Sequence, residues 1–375
     1  MHPVASLVLF PLALSLGVAA IGTPFGMGSA TTGGGSATAQ TPTNKDDLVE
    51  WLQDSTPRVI ILDRMWDFSS DEGTETSTGC APWDCTPNPQ QALNVINWCS
   101  SSYPTVSVTY NVSSTSPLYV GSNKSIIGKG KNSGFQGKGL YLPNVENVII
   151  QNIVIKELNH HYVWGGDAIQ LDGTTNVWID HNYIQHIGRQ MIVTGFNPSK
   201  GLTVSNNVFN GDSIYSTGCD GYHYWVALFA GDGDEITFAQ NSVYMTSGRG
   251  PHIGGTSGYT QAVHIYNNNF GPITGHALDP YDGASVLAEG NYFIGVETPL
   301  IADGGAVYAP LTSSDGSACQ SALGRACVAN TLLGSGSLSA LNTAGISSKF
   351  KGVSPMSASD SYNYVAANAG TGIIN

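Results

Sequence analysis

Short apolar alternating runs recur along the middle of this chain, and most of them close on asparagine. They read Val148-Ile149-Ile150-Gln151-Asn152, Val177-Trp178-Ile179-Asp180-His181-Asn182 and Leu202-Thr203-Val204-Ser205-Asn206-Asn207. Ile236–Asn241, Val263–Asn268 and Val286–Asn291 continue the series. Period-2 alternation over five or six residues is a strand signal with one face turned inward. The runs recur every roughly 23 to 34 residues, the spacing of solenoid coils with variable loops. Asparagine at a strand end tolerates a left-handed bend and can bond the asparagine of the next coil, building a ladder. The pattern therefore predicts an all-β protein, a right-handed parallel β-helix whose loop inserts wall a substrate cleft. An antiparallel sandwich is the alternative, but its hairpins need two-residue turns, and the inserts here are long.

Outside the repeat the pattern changes. Lys45 to Leu52 has helical periodicity, with Asn44 as N-cap. Arg58-Val59-Ile60-Ile61-Leu62 reads as a strand. Thr74 to Ser101 reads as a long cysteine-pinned loop, with a helical turn over Gln90 to Trp98. The tail from Gly334 to Asn375 is poor in charge and rich in Ser, Gly and Ala, and is expected to pack on the helix or cap its end. Trp178 and His181 lie in a strand and are expected to be structural, His181 as a hydrogen-bonded histidine.

Val4 to Ala20 is apolar, too short and proline-broken for a membrane span, and ends in small residues. Residues 1–20 are read as a secretory signal, leaving 21–375 as one β-helix domain. Roughly 350 residues would ordinarily suggest two domains, but solenoids grow by stacking. No other segment is apolar enough to cross a bilayer. Six cysteines in an exported chain suggest three disulfides. Cys319 and Cys327 form a close pair, whereas spacing leaves the pairing of Cys80, Cys85, Cys99 and Cys219 open. Asn111 and Asn123 begin glycosylation sequons. The net charge of −13 argues against a nucleic-acid partner and suits a neutral or weakly charged polymer, although acidity also simply keeps a secreted protein soluble. Nothing points to an oligomer, so a monomer is expected.

Against that acidity, two arginines stand out. Arg249 lies in Ser247-Gly248-Arg249-Gly250-Pro251-His252, and Arg189 in Ile187-Gly188-Arg189-Gln190. At corresponding places in stacked strands they would form a small cationic site. Together with Asn123-Lys124-Ser125-Ile126-Ile127-Gly128, Trp164-Gly165-Gly166-Asp167-Ala168-Ile169, Val177-Trp178-Ile179-Asp180-His181 and Cys219-Asp220-Gly221-Tyr222-His223-Tyr224-Trp225, these segments resemble fungal-type pectin lyases of polysaccharide lyase family one. The resemblance runs from about Thr31 to about Cys327. It implies β-elimination on methyl-esterified galacturonan: a base removes the C5 proton beside the ester carbonyl, and cationic groups stabilise the developing enolate.

By that resemblance Arg249 is the catalytic arginine, either base or polarising cation. A free guanidinium stays protonated, so a role as base requires burial and neighbouring cations. Arg189 stands where related pectate lyases hold calcium with acidic residues, and Asp167 would pair with it, which implies a reaction without calcium or other cofactor. His252 replaces the family's usual lysine, and a histidine loses its charge near neutral pH. Trp83, Trp98, Trp164, Tyr222, Tyr224 and Trp225 match groove positions, where aromatic faces pack against sugar C–H surfaces. The resemblance further implies disulfides Cys80–Cys99, Cys85–Cys219 and Cys319–Cys327. A calcium-dependent pectate lyase would need carboxylates in place of Gly188-Arg189. A non-catalytic β-helical carbohydrate-binding protein would not need both arginines.

Overall fold

The computed structural model describes residues 20–301 and 303–374; the signal-segment reading of 1–20 falls, apart from Ala20, outside the described residues. Among the described residues, three long sheets run the length of the molecule, with 11, 8 and 9 strands. Each coil contributes one strand to each sheet. Lys124–Gly128, Glu146–Gln151, Thr175–Asp180, Lys200–Ser205, Asp234–Ala239, Gln261–Tyr266 and Ala284–Glu289 are successive parallel strands of the first sheet. This is the expected parallel β-helix. Successive strands of a sheet lie a whole coil apart in sequence, so no hairpin turns are needed.

The alternation decides what lies inside. Val148, Val177, Leu202, Ile236, Val263 and Val286 are in register, fully buried and part of one core running from Leu48 to Leu338. Phenylalanines stack within it, Phe209 on Phe238 at 5.7 Å and Phe270 on Phe293 at 4.9 Å between ring centres. Trp178 is buried but points away from that core: it lies on the outer face under the N-terminal segment, and its Nε1 donates to Ser205 Oγ at 2.9 Å. The strand Arg58–Leu62 and the helix Lys45–Gln53, capped by Asn44 Oδ1 accepting from the Asp47 N–H, form as expected.

The strand-end bend and the ladder are two positions, not one. The bend residues are Asn152, His181, Asn206, Gln240, Asn267 and Gly290, all with φ between 52° and 60°. From His181 onward, the next residue makes the ladder. Asn182 Nδ2 donates to Asn207 Oδ1, Asn207 to Asn241, Asn241 to Asn268, Asn268 to Asn291 and Asn291 to Asn330, all at 2.9–3.0 Å. Each rung also accepts the backbone N–H of the preceding coil. This satisfies buried backbone donors at a corner where no sheet hydrogen bond can form. At the bend, His181 Nδ1 lies 2.6 Å from Asp180 Oδ2, in keeping with a structural role.

The Thr74–Ser101 stretch departs from expectation. It is not a loop throughout: Thr74–Cys80 and Gln91–Leu93 are strands of a separate four-stranded sheet with Thr105–Asn111 and Tyr162–Val163. The helical reading of Gln90 to Trp98 shrinks to one 3-10 turn, Val95–Asn97. The reason is tertiary pairing: Thr74–Cys80 lies antiparallel along Thr105–Asn111 over seven residue pairs, which overrides a polar sequence with little alternation. The tail packs along the ladder corner. Asn267 bonds Met356 through both side-chain ends, Gly370 N–H donates to Asn206 O, and Gly372 N–H to Asn152 Oδ1.

Candidate active site

The second sheet positions the site. Its strands include Leu118–Tyr119, Leu140–Pro143, Ile169–Asp172, Ile192–Thr194, Ala227–Phe229, His252–Ile253 and Ile273–Pro280. Their inward residues join the core, and the outward ones align in register across the coils: Tyr119, Tyr141, Gln170, Val193, Leu228, His252 and Asp279. A groove of about 400 Å³ covers the middle of this row, from Tyr141 through Gln170 and Val193 to Leu228, and is lined also by Trp164, Asp167, Arg189 and Phe196. Phe196 is largely exposed on its rim.

The chemistry sits at the corner just before these strands. Asp167 precedes one strand, Arg189 the next, Tyr224 and Trp225 the third, and Arg249 the fourth. The two arginines therefore occupy corresponding places, with one whole coil, the one bearing Trp225, between them. Arg189 Nε donates to Asp167 Oδ1 at 3.0 Å and its NH2 group to Oδ2 at 2.6 Å. Asp167 Oδ1 also accepts the Gln190 N–H at 2.8 Å. Both carboxylate oxygens are thereby committed to protein donors. The bidentate fork leaves the outer face of the Arg189 guanidinium against the Trp164 ring, 3.8 Å from its centre.

Arg249 has no such partner. Its Nε is buried without a hydrogen bond, and its guanidinium lies 4.8 Å from the Trp225 ring centre and 5.9 Å from that of Tyr224. Burial lowers its pKa from the ordinary arginine value, and the charge of Arg189 acts in the same sense; Tyr224 and Asp279 oppose them. Arg249 also holds a left-handed backbone, φ 50°, a conformation that costs a non-glycine residue energy and recurs at functional sites. Gly248 makes the local fit possible. A Cβ there would stand 2.4 Å from Tyr224 Cε2, so only glycine lets that ring lie against the backbone beside Arg249.

Of the six aromatics expected along the groove, Trp164 borders the cavity described above, and five of the six pack together. Trp83, Trp98, Trp164, Tyr224 and Trp225 fall in one cluster with Cys80, Val163 and Tyr103. Trp83 bridges it, 6.5 Å from both Trp98 and Trp225. Tyr222 stands apart from the cluster, its carbonyl accepting from Ser247 Oγ at 3.0 Å. The disulfides Cys80–Cys99, Cys85–Cys219 and Cys319–Cys327 all form. Cys85–Cys219 ties the four-stranded sheet to the loop carrying Tyr224 and Trp225. Asn111 ends a strand and Asn123 lies in a bend, where its Oδ1 accepts from Asn147 Nδ2 at 2.8 Å; both sequon asparagines are half-buried.

Several site residues escaped the sequence. Asp279 is the main one. Its Oδ2 lies 2.5 Å from His252 Nδ1 and 3.7 Å from His276 Nε2, and those two imidazoles hold its pKa below the ordinary value against the effect of burial. His276 Nε2 accepts the Arg249 N–H at 3.2 Å, and burial lowers the pKa of this histidine. Gln90 braces the wall: Nε2 donates to Gly188 O at 2.8 Å while Oε1 accepts from Trp225 Nε1 at 2.9 Å. A carboxylate ending the run His276-Ala277-Leu278-Asp279 was the available signal for Asp279. Gln90 carried none.

A stacked-coil scaffold, an open groove crossing its strands and a buried cation walled by aromatic rings together define a parallel β-helix enzyme of polysaccharide chains. The pectate lyase family profile matches residues 100–373, and the chain belongs to that family. It is 48% identical over 362 residues to probable pectin lyase F of Aspergillus niger, covering 94% of this chain and 75% of the relative. To pectin lyase D of Aspergillus niger it is 43% identical over 357 residues, covering 94% and 93%. A solved pectate lyase bound to hexasaccharide superposes with a TM-score of 0.63 at 18% identity, covering 96% of this chain and all of that one. A Bacillus pectate lyase in complex with trigalacturonate gives a TM-score of 0.58 at 19% identity, covering 94% and 100%. At such identities these two structures speak to the fold.

Proposed function

We propose that this chain is a secreted, monomeric, endo-acting pectin lyase that cleaves α-1,4 bonds of methyl-esterified galacturonan by β-elimination without calcium. The relatives named pectin lyase cover most of the chain at 43–48% identity. The observation that carries the finer reading is the Asp167–Arg189 fork. A carboxylate whose two oxygens already accept three protein N–H bonds is poorly placed to ligate calcium, which takes six to eight oxygens. A fixed guanidinium stands there instead, and suits a neutral ester carbonyl.

In this reading a galacturonan chain lies along the outward row of the second sheet, with an ester carbonyl facing the arginines. Proton loss from C5 sends negative charge onto that carbonyl. Arg189, held in place by Asp167, and Arg249 face the developing enolate, and the bond from C4 to the glycosidic oxygen then breaks to leave a 4,5-unsaturated uronate. Arg249, whose Nε bonds nothing among the described residues, is the group best placed to act at C5; burial lowers its pKa, against the opposing effect of Tyr224 and Asp279. The rings of Trp164, Tyr224 and Trp225 pack on sugar and ester faces. Residues 21–375 act as one domain, and three disulfides suit an oxidising compartment.

Following ultraviolet absorbance of the unsaturated product tests the reading. Highly methylated pectin is expected to react equally with calcium and with chelator, and de-esterified polygalacturonate to react poorly. Calcium-dependent activity on the de-esterified polymer would overturn it.

A further inference from the structure

The third sheet carries a second cluster of chemically active side chains that the groove does not use. Glu157 and His186 are register neighbours on adjacent strands, Val154–Leu158 and Tyr183–Ile187. Both break the strand with a left-handed backbone, φ 61° and 56°. Left-handed residues at the same level of adjacent coils bring the two side chains together: His186 Nδ1 lies 2.7 Å from Glu157 Oε1. The loop that follows Leu158 brings in a third group, with His160 Nδ1 3.7 Å from Glu157 Oε2 and its ring stacked on His186 at 4.7 Å. One ligand atom from each of the three lies within 4.8 Å of the others.

We propose that Glu157, His160 and His186 form a site for a borderline transition-metal cation of the zinc class. Tetrahedral bonds of 2.0–2.1 Å set donor atoms about 3.3 Å apart, and the separations of 2.7 and 3.7 Å bracket that distance. Two imidazoles and one carboxylate are the donor set that zinc prefers and calcium does not. A cavity of about 630 Å³ opens beside Glu157 and His160 and gives water access to that side of the cluster. The Gln185 side-chain amide nitrogen stands 3.3 Å from His186 Nε2, so the amide must turn its oxygen to that atom to hold the metal-bound ring. On binding, the cation takes the place of the proton between His186 Nδ1 and Glu157, and that proton passes to Nε2. Lys156 lines the same cavity, and its charge cancels that of Glu157. Affinity must therefore come from coordinate bonds to nitrogen and not from a negative field, which again selects zinc over calcium.

The cluster sits behind the groove. Asn159 Nδ2, one residue before His160, donates to Gly165 O, and the His160 and Gly188 carbonyls both accept from Gln90 Nε2. A cation here would fasten the two segments that lead into Asp167 and Arg189.

Calorimetric titration of the chelator-treated full chain with zinc chloride, and separately with calcium chloride, tests this. One zinc per chain is expected, with no saturable calcium binding. Glu157→Gln and His186→Gln are each expected to weaken zinc about tenfold or more, with unchanged unfolding midpoints in the absence of metal. His160→Gln, whose ring makes only the longer contact, carries the same expectation should either of the others fail to fold. No saturable zinc binding, saturable calcium binding, or zinc bound with less than tenfold loss in the variants overturns the proposal.

Discussion

The ladder corner and the arginine corner are built from the same coils, yet they handle polar groups in opposite ways. At the ladder corner the side-chain amides of Asn207, Asn241, Asn268 and Asn291 each both donate and accept. At the arginine corner, Arg249 Nε, Trp164 Nε1, Thr246 Oγ1, Asp279 Oδ1 and both ends of the Gln190 amide are buried with no hydrogen bond among the described residues. Each unpaired buried group costs on the order of 1–3 kcal/mol. The rungs themselves are satisfied, although Asn206 Oδ1 in the adjoining bend and Asn269 Oδ1 just past the Asn268 rung are also buried without a partner among the described residues. The unpaired capacity at the arginine corner is what a bound chain, or a transition state, can use.

The largest contrast is expected from Arg249→Ala. Loss of this cation should lower kcat on methylated pectin by ~10³-fold, the scale of removing a group that meets developing charge. Stability should change less than activity, because Arg249 Nε bonds nothing among the described residues and the side chain's contacts are confined to Tyr224 and Trp225 among the aromatic rings. A steep fall in the thermal midpoint alongside the activity would erase the distinction between the two corners. Asn241→Ala should do the reverse. It strands the Asn207 N–H and the Val204 carbonyl and breaks two rungs, so denaturant titration should show a loss of ~3 kcal/mol, with kcat and KM nearly unchanged in the folded fraction.

A smaller effect concerns pH. Glu289 is fully buried on the outer face of the first sheet, and bonds from Arg325, His264 and the Val328 N–H outweigh burial to hold its pKa down at about 2, against an ordinary 4.5. A depressed folded-state pKa gives stability that is fully present above about 4.5 and lost as pH falls toward 2. Linkage converts that to at most ~3 kcal/mol. The unfolding free energy of the wild type should therefore drop over that window, and Glu289→Gln should flatten the drop. An equally steep acid limb in the variant would show that other carboxylates control it.

The stack was legible because its signals are local. Alternation in Val177–Asp180 or Val263–Tyr266 dictates which side faces the core, and asparagine marks where each strand must stop. What could not be read was the split between bend and rung. Doublets such as Asn206-Asn207 and Asn267-Asn268 fill both positions with the same residue, and His181-Asn182, Gln240-Asn241 and Gly290-Asn291 hint that the first place is freer. The four-stranded wall was missed because Thr-Glu-Thr-Ser-Thr-Gly-Cys has almost no apolar face, and its pairing partner lies 25 or more residues away. At the site, Arg189, Asp167 and Arg249 were found through motif resemblance. Asp279 and His276 were not, since their meeting with Arg249 depends on register between coils, which no single stretch of chain records.

The outward row of the second sheet works as a ruler. Neighbouring strands lie ~4.8 Å apart, so a polymer laid across them meets a new side chain at each step, from Tyr119 and Tyr141 through Gln170, Val193 and Leu228 to His252 and Asp279. The graduations run from aromatic through amide and aliphatic to imidazole and carboxylate. Position along the groove is thereby encoded as polarity, and lengthening or shortening the reach of the site requires only the gain or loss of a coil.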